Sequence, residues 1–153
     1  PSVIELVKKS GYPGMKILQF AFDSREESDY LPHNYTHNCV VYTGTHDNDT
    51  VMGWYGTLKG ADKKLCDDYL RLKNADGEPI PREQLPWEFV RAAMSSVADL
   101  AIIPMQDYLG LGSEARINIP STLGINWKWR MGNGDFTKEL AGRIRSMTKL
   151  YGR

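Results

Sequence analysis

The chain has 153 residues, of which 41% are hydrophobic and 25% are charged, so it is long enough to bury one core and is not disordered. Lysine plus arginine equals aspartate plus glutamate at 19 each, which leaves no net positive charge to attract nucleic acid or an anionic membrane surface. No apolar run approaches the roughly 20 residues of a membrane span. We therefore expect a single domain over residues 1–153 that binds neither nucleic acid nor membrane.

The two cysteines, Cys39 and Cys66, do not form a CxxC motif. Two thiols are too few for a disulfide framework, which favours a reducing, cytoplasmic location. We expect both thiols to be buried and unreactive. Residues 1–5 lack the basic and apolar segments of a signal peptide, and position 1 is proline rather than methionine. Because the chain does not begin with methionine, we expect it to be a piece of a longer protein.

Apolar residues that recur at the helical period predict several helices. They cover residues 2–10, 61–73, 86–97 and 136–151. Gly11 follows the first helix, where a helix stop is expected. Pro86 suits the first turn of the third helix, because a helix start needs no N–H there.

Three apolar runs predict strands buried on both faces, as in a parallel sheet. They cover residues 15–23, 38–43 and 100–105. Because these strands alternate with helices, we expect parallel βαβ units in an α/β fold. The strands are too few to close a (β/α)8 barrel, so the pattern fits either part of such a barrel or another α/β sheet.

Each predicted strand is followed by polar side chains. They are Asp23, then His46 and Asp47, then Gln106 and Asp107. In (β/α)8 barrels the chemistry lies at the carboxyl ends of the strands. These residues are therefore candidates for a site.

The densest polar cluster is residues 45–50, THDNDT, directly after the second predicted strand. A carboxylate beside a histidine can hydrogen-bond sugar hydroxyls or stabilise an oxocarbenium-like transition state. The same string also fits a turn that caps the next helix, and the residues alone leave both interpretations open. An EF-hand calcium loop is excluded, because Val51, Met52 and Leu58 occupy positions that need a ligand or glycine.

No other pattern indicates a metal ion or an organic cofactor. His33, His37, His46 and Cys39 match no common zinc spacing. The glycine-bearing segment 110–116 lacks both the lysine of a P-loop and a GxGxxG motif. We therefore expect neither cofactor nor metal.

Five motifs, in this order along the chain, resemble one family. They are PGMKILQFAFD (13–23), YLPHNY (30–35), VVYTGTHDNDT (40–50) with GWY (53–55), PMQDYLGLGSEARIN (104–118) and NWKWR (126–130). Together they resemble the C-terminal third of bacterial and plant 4-α-glucanotransferases, also called amylomaltases or disproportionating enzymes. One departure is Ser121, where the family usually has glycine.

The resemblance implies a partial (β/α)8 TIM barrel of the α-amylase superfamily, with the predicted strands as strands 6 to 8. It implies transfer of α-1,4-glucan segments between maltooligosaccharides by a retaining double displacement. The family places an aspartate nucleophile after the fourth strand, a glutamate acid/base after the fifth and a transition-state-stabilising aspartate after the seventh. On this mapping the first two belong upstream of Pro1, so we expect the chain alone to be inactive.

The resemblance also assigns site residues. Asp47 matches the third catalytic carboxylate, and His46 and Asn118 match sugar contacts at the cleaved bond. Asp23 matches an acceptor-side contact, and Trp54 is a candidate sugar contact because its ring is flat with a polar tip. The implied partners are maltooligosaccharides and α-1,4-glucans, and we expect the incomplete barrel to self-associate through its open strand edges.

Two alternatives stay open. One is a stand-alone glucan-binding module that uses Trp54, Trp127 and Trp129 as platforms for sugar rings. The other is an α-amylase-type hydrolase, in which water replaces the sugar acceptor.

Overall fold

The computed structural model describes residues 3–153 and has an α/β architecture, as predicted. Its helices and strands, in chain order, are α1 (Val3–Ser10), β1 (Gly14–Ile17), β2 (Cys39–Tyr42), α2 (Val51–Thr57), α3 (Gly60–Leu70), α4 (Leu85–Met94), β3 (Leu100–Ile102), α5 (Met105–Tyr108) and α6 (Lys138–Leu150). Short 3-10 helices lie at Leu18–Ala21, Pro32–Asn34 and Ser113–Ala115. The predicted first helix began at Ser2, which lies outside the described residues.

The strands form one parallel sheet in the order β1-β2-β3. The register pairs Gly14 with Cys39, and it pairs Tyr42 with both Ile17 and Ile102. Parallel strands need crossover connections. Residues 18–38, a long loop with two short 3-10 helices, connect β1 to β2, whereas α2, α3 and α4 lie between β2 and β3. The carboxyl ends of all three strands therefore lie at one edge of the sheet.

Two strands end well before the residue that the sequence predicts, whereas β2 differs from its predicted range by one residue at each end. The first, expected over residues 15–23, ends at Ile17, and the chain continues as the 3-10 helix Leu18–Ala21. The third, expected over residues 100–105, ends at Ile102. Pro104 lacks the N–H that a sheet ladder needs and instead precedes α5.

The prediction that all three strands are buried on both faces was wrong. On one face, Cys39 and Val41 of β2 are buried against Ala93 of α4. On the other face, Met15 of β1 is 57% exposed and Leu100 of β3 is 51% exposed. The reason is that, within residues 3–153, helices cover only the first of these faces.

The main core lies between the sheet edge and helices α2 to α4. Phe89 of α4 is fully buried at its centre. Its ring contacts the rings of Phe22, Trp54 and Tyr55, with centroids 5.8 to 6.3 Å apart. The other face of α4 packs against α6 through Trp87. Helix α4, the third helix predicted, therefore joins two parts of the core.

The cysteines are buried and free, as predicted. Burial raises the pKa of both thiols, which disfavours the reactive thiolate. None of the helices within residues 3–153 combines the length and the apolar character that crossing a membrane requires.

Replacing Phe89 with alanine should lower the free energy of unfolding by about 3–5 kcal/mol, because a buried ring is lost and a cavity is left. Urea denaturation followed by circular dichroism measures this change. Phe136→Ala is the matched control, since Phe136 is half exposed, and it should change stability by less than about 0.5 kcal/mol. Equal losses in the two variants would contradict the packing described above.

Candidate functional site

The turn after β2 carries His46 and Asp47, and its own side chains shape it. The backbone N–H and the hydroxyl of Thr45 both donate to Asn48 Oδ1, at 3.0 and 2.7 Å. The Asn48 N–H donates to the Thr45 carbonyl at 3.1 Å. Thr50 then caps α2, since its hydroxyl accepts from the Gly53 N–H. The segment is thus a helix-capping turn that also presents a carboxylate.

Asp47 lies beside two of the other predicted site residues. Its Oδ1 accepts a hydrogen bond from Asn118 Nδ2 at 2.6 Å, and His46 Nε2 lies 3.4 Å from the same oxygen. The Asp47 side chain is 51% exposed, so a ligand can reach it. Asn118 is far from Asp47 in sequence, and the fold brings the two together.

Arg116 ties the two segments of this site together through their backbones. Its Nη2 donates to the Asp47 carbonyl at 2.7 Å, and its Nε donates to the Asn118 carbonyl at 2.9 Å. The Asn118 N–H donates to the His46 carbonyl at 3.1 Å. Arg116 was not among the site residues predicted from the sequence. No sequence signal marked this role, because the partners of Arg116 are backbone carbonyls, which every residue carries.

Trp127 also lies beside the site. Its ring centroid is 5.1 Å from that of His46, and the residue is 54% exposed. The backbone N–H of Trp127 donates to the Ile117 carbonyl at 2.7 Å, which holds the loop against the segment leading to Asn118. An exposed indole next to a carboxylate suits the apolar face of a sugar ring.

A buried carboxylate lies beneath the turn. Asp107 accepts hydrogen bonds from the Thr43 hydroxyl and, at 2.8 Å, from the Val51 N–H. Burial raises the pKa of Asp107 from 3.8 to about 6, an effect that these two hydrogen bonds oppose and the nearby charge of Asp49 reinforces.

Gln19 and Ser113 hold the far end of the turn. Gln19 Nε2 donates to the Asp49 carbonyl at 2.8 Å. The Ser113 hydroxyl donates to Asp49 Oδ2 at 2.6 Å. These side chains come from the segments after β1 and β3, so both neighbouring strands contribute to the support of the turn.

Asp23 and Trp54 lie in other surroundings. Both oxygens of Asp23 bind the Arg25 guanidinium, which lowers the pKa of that carboxyl to about 2. Trp54 packs against Phe22 and Phe89 in the main core. The contacts described for these two residues do not connect them to Asp47.

The cavity behind the turn is small. It is lined by residues that include His46, Asp107 and Arg116, and its volume of about 30 Å³ is large enough for water but not for a sugar ring. A sugar would therefore approach Asp47 from its exposed side. A separate groove of about 580 Å³, lined by residues that include Trp87, Tyr108 and Arg143, contains none of the predicted site residues.

No group of three or more histidine, cysteine, aspartate or glutamate side chains placed to hold a metal ion occurs within residues 3–153.

Comparison with known proteins places these observations in a family. The family model described as 4-alpha-glucanotransferase matches residues 1–135. The 4-alpha-glucanotransferase of Clostridium butyricum is 49% identical over 151 residues, which are 98% of this chain and 30% of that protein. The chloroplastic/amyloplastic 4-alpha-glucanotransferase of Solanum tuberosum is 47% identical over 99% of this chain and 26% of its own length. The chain therefore spans less than a third of these relatives.

Solved structures give the same result. Amylomaltase from Streptococcus agalactiae, in complex with acarbose, matches with a TM-score of 0.85 and 36% identity, over 98% of this chain and 29% of that one. Amylomaltase from Corynebacterium glutamicum matches with a TM-score of 0.65 at 14% identity, over 97% and 27%, and supports the fold alone. The chain belongs to the 4-alpha-glucanotransferase family.

Proposed function

We propose that this chain supplies the transition-state-stabilising carboxylate of a 4-α-glucanotransferase active site. The observation that carries the proposal is the contact of Asp47 with both Asn118 and His46 at the carboxyl edge of a parallel sheet. In this proposal β1, β2 and β3 are strands 6, 7 and 8 of a (β/α)8 barrel. Asp23 and Trp54 are proposed as more distant contacts to the glucan.

The geometry of Asp47 suits this role. Among the described residues, its carboxylate is contacted at Oδ1 by Asn118 and His46, so Oδ2 is the oxygen that faces a ligand. A fixed negative charge stabilises the transition state most when the sugar becomes cationic. Asn118 and His46 orient the carboxylate and can themselves bind sugar hydroxyls.

The reaction in this proposal is a retaining double displacement. A nucleophilic aspartate and an acid/base glutamate, carried by a part of the enzyme that precedes this segment, form and release a glycosyl intermediate. A sugar 4-hydroxyl then takes the glycosyl group, so α-1,4-glucans and maltooligosaccharides are both donors and acceptors. The chain alone lacks two of the three carboxylates and would be inactive.

The open face of the sheet supports a proposal about the isolated chain. Met15, Val40 and Leu100 are paired across the three strands and form an apolar row on the uncovered face. Exposed apolar residues of α1 add to the uncovered surface. We propose that the isolated chain associates with a second copy through this face, which would remove apolar surface from water.

Asp47→Asn, in the longer enzyme that this function requires, should lower kcat by about three orders of magnitude or more, because the charge needed in the transition state is removed. Glucose release from maltotriose measures the rate. Stability should change little, since the side chain is half exposed. Asp68→Asn, on the surface of α3, is the control. A rate above about a tenth of wild type would contradict the assignment of Asp47 as the carboxylate that stabilises the transition state.

Asn118→Ala and His46→Ala should each lower kcat/KM by roughly ten- to a thousand-fold, because each removes a group that positions Asp47 or binds the sugar. Initial rates on maltotriose measure kcat/KM, and analysis of the products shows which reaction occurs. A ladder of longer oligosaccharides indicates transfer, whereas shortening alone indicates hydrolysis. If both variants keep normal kinetics, neither residue belongs to the site.

Light scattering on the purified chain should give a mass above that of the 17.3 kDa monomer. Leu100→Lys should shift the chain toward monomer, because it places a charge on the open face. Leu123→Lys, at an exposed apolar residue outside the sheet, should leave the mass unchanged. A wild-type chain that stays monomeric at high concentration would refute self-association.

A further inference from the structure

The pair Gln106-Asp107 follows the third strand and has no part in the mechanism proposed above. Both residues lie in α5 and are nearly inaccessible, with Gln106 4% and Asp107 1% exposed. Burying an amide and a carboxyl group is unfavourable unless hydrogen bonds compensate for the lost water. The partners of these two side chains therefore indicate what the pair does.

The two side chains bind the two segments that form the site. Asp107 binds Thr43, which follows β2, and Val51, which begins α2. These residues flank the turn that carries His46 and Asp47. Gln106 Nε2 donates to the Ala115 carbonyl at 3.2 Å, just before the segment that carries Arg116 and Asn118.

We infer that Asp107 is a positioning residue for Asp47, acting by fixing both ends of the turn at residues 44–50; this inference rests on the proposed function of Asp47. The two oxygens of one carboxyl group have a fixed separation, so the Thr43 hydroxyl and the Val51 N–H are held at a fixed separation too. The segment between Thr43 and Val51 belongs to no strand or helix. Fixing its ends removes conformations in which Asp47 would lie elsewhere.

A backbone hydrogen bond between Asn118 and His46 reports on the position of the turn. The Asn118 N–H donates to the His46 carbonyl at 3.1 Å. When the ends of the turn loosen, this bond opens more often, and the Asn118 amide exchanges its hydrogen faster. The same loosening would lengthen the contact between Asn118 Nδ2 and Asp47.

The chain offers a matched control outside the turn. Asp67 of α3 is also buried, at 4% exposure, and accepts a hydrogen bond from the Tyr55 hydroxyl at 2.6 Å. Thr43→Val and Tyr55→Phe therefore each delete one hydroxyl that donates to a buried aspartate. Only the first deletion acts on the turn.

Hydrogen exchange on the chain, resolved by residue and normalised to the amides of α4, tests the inference. Thr43→Val should raise the exchange rate of the Asn118 amide about tenfold, because the loss of a buried hydrogen bond shifts the opening equilibrium by about this factor. Tyr55→Phe should leave that rate unchanged, and Thr43→Ser, which keeps the hydroxyl, should restore the wild-type rate. Equal Asn118 exchange in Thr43→Val and Tyr55→Phe would overturn the inference.

Kinetics in the longer enzyme separate this inference from the proposed function. Thr43→Val should lower kcat about tenfold with KM within about threefold of wild type, since a displaced Asp47 stabilises the transition state less while binding is retained. Tyr55→Phe should keep both values. An active Asp47→Asn enzyme would refute the proposed function, whereas an inactive one together with a normal Thr43→Val enzyme would refute only the positioning role.

Discussion

The parallel pairing of β2 with both of its neighbours is the constraint on which the candidate site depends. It brings the carboxyl ends of three strands to one edge, so side chains that follow β1 and β3 reach the turn that follows β2. Gln19 arrives from the first strand, and Asp107 from the third. A turn of polar residues would be mobile by itself, and here it is held by buried groups on both sides.

Close packing around the turn favours glycine at two positions. A Cβ atom at Gly44 would lie 2.5 Å from Gln19 Nε2, and one at Gly53 would lie 2.2 Å from Ser113 Oγ. Both distances are far below van der Waals contact. The side chains that would collide are the ones that bind Asp49, so a larger residue at either position would displace the support of the turn along with its own neighbours.

The sequence predicted much of this arrangement, and the misses have physical causes. The helical period of the apolar residues located the four predicted helices, and apolar runs located all three strands. Helices α2 and α5 were missed, because the apolar residues of α2 do not form a long stripe and α5 is a single turn. The strand ends at Ile17 and Ile102 depend on tertiary pairing, which a run of apolar letters does not encode. The open face of β1 and β3 was missed because an apolar run reads the same whether or not a partner covers it.

The candidate site also contains residues that the sequence predicted and contacts that only the structure shows. The motifs predicted His46, Asp47 and Asn118 as site residues, because their side chains themselves carry the family pattern, and the fold brings these three together. The supports of the site bind backbone groups far away in sequence: Arg116 binds the Asp47 carbonyl, and Asp107, predicted only as a polar residue at a strand end, binds the Val51 N–H. Every residue carries a backbone carbonyl that can accept, and every residue except proline carries an N–H that can donate. Residue identity therefore does not show which of these groups a side chain binds, and contacts of this kind emerge only from the fold.

The loop after Asn118 contains two residues in the left-handed region, Ser121 at φ 63° and Trp127 at φ 64°. A side chain in this region costs roughly 1–2 kcal/mol relative to the usual backbone conformation, a cost that glycine avoids. At Ser121 the side chain is exposed, so glycine would relieve the strain without the loss of a buried contact. At Trp127 the same relief would remove the ring that lies on His46. Selection for stability alone would therefore favour glycine at both positions, and only at Trp127 would it act against the site.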